Sequence, residues 1–465
     1  MKKFLLSILF ISMFSTALLF ADKGEYRVQI NDKAQAGTSR AFECAAVIAH
    51  YAGFPEYNDS NTDFSLYDSY FIPLSKNKAF LDAVSYFNSL HKRGFSYDAV
   101  ANIATYLNSD CQSYRTDIQT VKANIQSRCG DPQKFLEIIS AFYTETSFDD
   151  FYQSMIPVYE ESLQAILANI QVINIAFDAY EKYYRTSLNP VFISVTPLVG
   201  PSNYGVSFND GQKEYYEPKY CAGYFDANLL IHELSHPMSN PVVYRIVKNK
   251  KIMKLVNKSF KGTKKQIMQQ QAYTNSETYL IELFNRANTL NILKAFGNDA
   301  YIYSGIFQYK IRRFDEIDQV TQLLDKYRLG NYVSLEEFRP ELEEGFFKIL
   351  NANKNGFKLS ADDTKSFTLF GKTYDAQYCG TSDVSGIRDF KTRKVFRLID
   401  AYEDLVNYQS FDYLPDDNYP VTVNAGEVYR VEYLRTDGTG FVEYMRSDAN
   451  SYINGQHVTV GIYVE

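Results

Sequence analysis

Apolar and polar positions along this chain follow two different periods, and the places where the period changes outline its organisation. From Ala36 to Ser187 the spacing is mostly helical. Leu163, Ile166, Leu167, Ile170, Ile173 and Ile175 recur at helix-like intervals between polar flanks. The pattern shortens after Asn189 and Pro190. Residues 191–195, rich in β-branched and aromatic side chains, predict a strand. Gly200-Pro201-Ser202-Asn203 predicts a turn, and residues 204–208 predict a returning strand. A helix is then expected to open with Asp226 as its N-cap and to carry residues 229–236, and long helical stretches follow to about Asn353. From Lys354 on, Gly, Asp and Asn punctuate short segments. One helix is expected near residues 391–408. Strands are expected at 419–423, 427–433, 440–444 and 457–463, with Asp437-Gly438 as a hairpin turn.

This patterning predicts an α+β protein. A helix-rich domain with a small sheet is expected over residues 22–353, and a small β-rich C-terminal module over residues 354–465. The 465 residues are enough for two or more cores. A net charge of -7 and a pI near 5.5 argue against a nucleic-acid partner, which wants a basic face.

Lys2 and Lys3, the apolar run 4–20, and the small residues Ala17 and Ala21 read as an export signal over residues 1–21. The competing reading is an uncleaved membrane anchor. No second spanning stretch follows, so no stable membrane insertion is expected once the signal is removed, and the chain is expected to be secreted, periplasmic or in the cell envelope. Export permits disulfides. Of Cys44, Cys111, Cys129, Cys221 and Cys379, the pair Cys111 and Cys129 lies nearest in sequence. Burial of these residues as small hydrophobes is the other reading.

The candidate chemistry is concentrated in one segment. Residues 229–241 read Leu-Leu-Ile-His-Glu-Leu-Ser-His-Pro-Met-Ser-Asn-Pro. Four residues apart on a helix, His232 and His236 present two imidazoles on one face, where both can reach one Zn²⁺. Glu233, beside the first of them, is placed to act as general base on an attacking water. Pro237 removes a backbone donor and disfavours a helical residue before it, so the helix is expected to kink or end just after His236. A third ligand is required, and Glu277 and Glu282 are the candidates. Thr274 and Glu277 match a capping box, which gives Glu277 a structural role. Glu282 falls mid-helix but away from the apolar face formed by Leu280, Leu283, Phe284 and Ala287. The strand at 191–195 is either an edge that pairs with an extended substrate or a plain structural hairpin. Tyr327 and Tyr332 are possible phenolic donors to an oxyanion, with packing the commoner role for a Tyr.

Residues 279–287, Tyr-Leu-Ile-Glu-Leu-Phe-Asn-Arg-Ala, resemble the glutamate helix of a family of secreted bacterial metallopeptidase-like proteins catalogued as a domain of unknown function. That family is of the gluzincin type, and its Glu followed four residues later by Arg-Ala is matched here by Glu282, Arg286 and Ala287. Residues 51–58 with Glu43, residues 94–100 and residues 331–340 resemble other parts of it, so the likeness spans about residues 25–350. It implies a zincin-like domain with Zn²⁺ held by His232, His236 and Glu282, with Glu233 as base and a peptide or protein as substrate. The rival expectation is a catalytically silent secreted binding or surface protein on the same scaffold. Pro237 departs from the family pattern, and the C-terminal module falls outside the likeness.

Overall fold

The computed structural model describes residues 25–96, 98–199, 205–209, 214–216, 219–220, 225–296, 299–369, 371–385, 389–405, 426–446 and 460–462. The export signal at 1–21, the turn at 200–203, the strand at 419–423, most of the strand at 457–463, Cys221 and His457 lie outside these residues. The fold is α+β, as the patterning predicts. Contacts divide it into two compact units, Met1–Glu181 with Thr186–Leu234, and Lys182–Arg185 with Ser235–Glu465. The division passes through one continuous helix, Ala227–Val247, called here the histidine helix. It therefore falls elsewhere than the change of texture at Lys354.

In the first unit β1 (Arg27–Gln29) and β2 (Ala34–Gly37) form an antiparallel hairpin that the helical spacing does not announce. β2 runs parallel to β3 (Val191–Val195), and β3 is also parallel to β5 (Glu214–Tyr216) and β6 (Lys219–Tyr220). β4 (Ser207–Asn209) pairs antiparallel with β5 at the end of the path. All five residues of β3 are buried, as expected for a strand with neighbours on both sides. Both alternatives for this strand, a substrate-pairing edge and a plain hairpin, are thus overturned: β3 runs parallel to β2, β5 and β6, and β4 pairs with β5.

Around this sheet lie helices whose aromatic faces make one large core. Phe71, Phe87, Phe135, Phe142 and Phe151 are each buried within it. The helix Arg40–Tyr51 is capped by the Ser39 hydroxyl and is buried on nearly every side. It carries Glu43 into the core, where Tyr67 donates to one carboxylate oxygen at 2.6 Å and Thr196 donates to the other. Cys44, Cys111 and Cys129 are buried free thiols and Cys379 is an exposed one, so the sequence-adjacent pair is not bridged. Cys111 makes its side-chain contact with Cys44 instead.

In the second unit helices occupy the chain as far as Asn353, and then come β7 (Ser366–Leu369), β8 (Lys372–Asp383), β9 (Phe390–Leu398), β10 (Val428–Arg435), β11 (Gly440–Arg446) and β12 (Val460–Ile462). They form one antiparallel sheet in the order β12-β11-β10-β9-β8-β7. The turn at Asp437-Gly438 is as expected. Gly438 has φ +82, and Asp437 accepts from the Thr439 amide at 3.0 Å.

The helix expected at 391–408 is instead β9, followed by a short helix, Tyr402–Leu405. Basic residues in this stretch suggest the wet face of a helix. In the sheet Arg393 and Lys394 are buried, and the Lys394 ammonium lies over the rings of Tyr378 and Phe396 while pairing with Asp362 at 2.5 Å. Ladders to β8 and β10 on both sides decide the conformation.

Buried ion pairs tie this sheet to the helices of its own unit. Arg313 is fully buried and pairs with Asp315 at 3.3 Å, with Asp437 at 2.5 Å and with Asp389. Asp315 in turn meets Lys264 at 3.0 Å and Arg435 at 2.5 Å. Among the described residues no helix is long and apolar enough to cross a membrane.

Candidate metal centre

The histidine helix begins as the sequence suggests, with the Asp226 carboxylate accepting from the Asn228 amide at 2.8 Å. It does not end at His236, however, but runs to Val247 with Pro237 and Pro241 inside it. The two prolines stand four apart, so the missing donors fall on one side of the helix, opposite the carbonyls of Glu233 and Pro237.

The second helix of the site, Ser276–Leu293 (the glutamate helix), is capped by Asn275 and not by Thr274. The Asn275 side chain accepts from the amides of Glu277 and Thr278 at 3.0 and 2.9 Å. Glu277 is therefore a first-turn residue, and the capping-box expectation for Thr274 and Glu277 is overturned. From Leu283 on, nearly every residue of this helix is buried. The apolar-face argument against Glu282 loses its force on such a helix, because no side of it is reserved for water.

His232, His236 and Glu282 converge. One ligand atom from each lies within 4.8 Å of the other two. The His236 Nε2 to Glu282 Oε1 distance is 3.6 Å, close to the spacing of about 3.3–3.5 Å that two ligands of a tetrahedral zinc adopt. His232 is 6 % exposed, and the other two side chains are partly buried. A pair of imidazoles with a carboxylate is a donor set suited to zinc, so the residues present fit the ion. Glu277 is absent from the cluster.

Surrounding groups orient two of these side chains. Asn240 Oδ1 lies 3.2 Å from His236 Nδ1. An amide oxygen there accepts the Nδ1 proton and puts the lone pair of the neutral ring on Nε2, the atom facing Glu282. On Glu282 the two oxygens are divided. Oε1 faces His236, while Oε2 accepts from Tyr273 and from Arg286, each at 3.3 Å. Arg286 also donates to the Tyr273 hydroxyl at 2.8 Å and packs its guanidinium against the rings of Tyr309 and Phe314. Burial pushes the Tyr273 phenol up to about 12, with the Arg286 charge pulling the other way. The two helices are pinned to each other by a buried bond from Asn288 Nδ2 to Ser239 Oγ at 3.2 Å, and Tyr183 donates to Asn288 Oδ1 at 2.7 Å.

Glu233 has a separate partner. Its Oε2 accepts from the Gly205 amide at 2.7 Å. A Cβ at position 205 would lie 2.5 Å from that oxygen and 2.7 Å from the Glu233 Cβ, so only glycine permits this approach.

Tyr327 and Tyr332 serve as packing. Tyr327 is fully buried beneath Arg185 and beside Phe338, and Tyr332 donates to Glu341 at 2.8 Å. Reasoning from sequence missed Tyr273, Asn240 and Gly205. Arg286 was visible four residues after Glu282, a spacing that pairs opposite charges on a helix. A cavity of about 1580 Å³ in the second unit is lined by residues such as Lys264, Lys310, Asp315 and Asp318, and none of the cluster residues lines it. No family model, curated protein or solved structure matches the chain.

Proposed function

We propose that this chain is an exported zinc-dependent peptidase of the gluzincin type, with His232, His236 and Glu282 as ligands and Glu233 as general base. One observation carries the reading: two His and one Glu, from helices far apart in sequence, meet within 4.8 Å, with an acid next to the first His. Zinc supplies Lewis-acid polarisation of a carbonyl and acidifies water. The chain's residues do the rest. Asn240 and Arg286 aim the ligand atoms. The Gly205 amide holds Oε2 of Glu233, which leaves Oε1 to take a proton from the attacking water and pass it to the leaving amine.

The test pairs metal content with turnover. The purified chain is expected to hold about one zinc and to hydrolyse peptides in a chelator-sensitive way. Glu233→Gln is expected to keep the zinc while hydrolysis falls by about 10²–10⁴-fold. A zinc-loaded Gln variant with full activity would sink the mechanism. Zinc bound without any turnover in the parent chain would favour the silent binding protein.

A further inference from the structure

Immediately after the histidine helix the charge of the chain changes character. Residues 246–275 contain eight lysines and no acid, in a protein whose net charge is -7. Lys264 is buried and neutralised by Asp315 and Glu316. The other seven are exposed, and none of them makes an ion pair among the described residues. Four stand on the helix Lys250–Ser259. At 100° per residue, Lys250, Lys251, Lys254 and Lys258 fall within an arc of about 100°. Ile252 and Val256 lie on the far side and are buried.

Two acids of the packed helix Leu335–Asn353 are engaged elsewhere, while Glu277, beside the Ser276 that bonds Asn257, makes no ion pair among the described residues. The helix Leu335–Asn353 packs on this one. There Glu336 pairs with Arg245 and Arg339, and Glu343 with Arg339 and the Asn249 amide. The stripe is thus a row of positive charge about 12 Å long from Lys250 to Lys258, without an ion pair among the described residues, on a helix whose apolar face is used up inside the protein.

We propose that this lysine stripe docks the protein on an anionic lipid surface, by charge and without insertion. Three features select a membrane over a polyanionic chain. The charges are all ammonium groups, which act as hydrated points. Guanidinium forks, which would grip individual phosphates or carboxylates, are missing from residues 246–275. The four lysines lie along one side of a single ten-residue helix, a geometry that meets a plane. Tyr244, on the last turn of the preceding histidine helix, is 46 % exposed, and an aromatic ring with a polar tip suits the headgroup layer. Clusters of four to eight basic residues on a helix bind acidic lipid at about 1 kcal/mol per residue.

The experiment is co-sedimentation of the full chain with vesicles of phosphatidylcholine, with and without added phosphatidylglycerol, at low and high salt. The ratio between the two vesicle types isolates the charge-dependent part from any binding by the apolar residues 4–20. Strong preference for the acidic vesicles, lost at high salt, is expected. The combined variant Lys250→Gln, Lys251→Gln, Lys254→Gln and Lys258→Gln is expected to cut that preference by about 10³-fold. It should leave helix content and bound zinc unchanged, since all four side chains are exposed. Equal partition on both vesicle types, or an unchanged preference in the quadruple variant, overturns the proposal. So does competition in which polyglutamate or duplex DNA at equal charge strips the parent chain from acidic vesicles through these same lysines, which would assign the stripe to a polyanionic chain.

Discussion

Both units bury carboxylates, and they treat them in opposite ways. In the first, Glu43 sits in an aromatic core and meets only hydroxyls. Burial pushes its carboxyl above the usual range, and the bonds from Thr196 and Tyr67 offset only part of that. In the second, Asp315 is largely shielded from water, and there Arg313, Lys264 and Arg435 outweigh the cost of burial and hold it well below the usual range. Glu282 shares only the geometry of this second kind, with Arg286 against one oxygen and His236 facing the other. A carboxylate kept neutral by its surroundings is a piece of core. One kept charged by a neighbouring guanidinium still has a lone pair to offer a cation. Glu443 shows that the contrast follows the local partners and not the unit. It lies in the sheet of the second unit with only the Tyr433 hydroxyl nearby, and burial pushes it up to about 8.

The contrast can be broken most directly at Arg313. Arg313→Met leaves Asp315, Asp389 and Asp437 short of a cation and is expected to cost about 3–5 kcal/mol in urea unfolding. Glu43→Gln, at a site where burial already favours the uncharged carboxyl, should cost less than about 1 kcal/mol. Equal losses in the two variants would show that Glu43 is charged in the fold and that the distinction is mistaken.

At the metal cluster, Glu282→Ala is expected to weaken zinc binding by more than about 10²-fold, measured against a competing chelator. Glu277→Ala should leave it nearly unchanged, because Asn275 and not Glu277 provides the helix cap. The two results exchanged would move the ligand to Glu277.

A smaller effect is expected one contact further out. Arg286→Gln should weaken zinc by about 10–100-fold, with partial recovery in Arg286→Lys. If zinc affinity is untouched while unfolding shifts, Arg286 serves packing against Tyr309 and Phe314 alone.

A separate test is pH. The native Glu443 carboxyl holds its proton up to about 8, whereas in the unfolded chain it releases it near about 4.5. Its contribution to stability is therefore complete below about 4.5 and is lost as pH rises towards 8, by up to about 1.4 kcal/mol per unit. Glu443→Gln should flatten this part of the stability profile. A parent chain whose stability rises between pH 5 and 8, with the same slope in the variant, would place the titration elsewhere.

Local chemistry by itself determined a good deal. His-x-x-x-His spacing, the Asp226 cap, the strand-forming run at Val191–Val195 and the Asp437-Gly438 turn are set within a few residues, because a helical period, a side-chain cap and a positive φ need no distant partner. What required the fold was everything that depends on a neighbour. Arg393 and Lys394 look solvated until β8 and β10 flank them. β3 resembles an edge until β2, β5 and β6 take its backbone. Pro237 promises an end to the histidine helix, yet the helix continues to Val247, since packing along its length outweighs two missing hydrogen bonds. Tyr273, Gly205 and Asn240 carry no mark of function in the sequence. They matter only through where their hydroxyl, amide and carbonyl groups arrive, and that position is decided by the packing of helices and strands that residue order does not reveal.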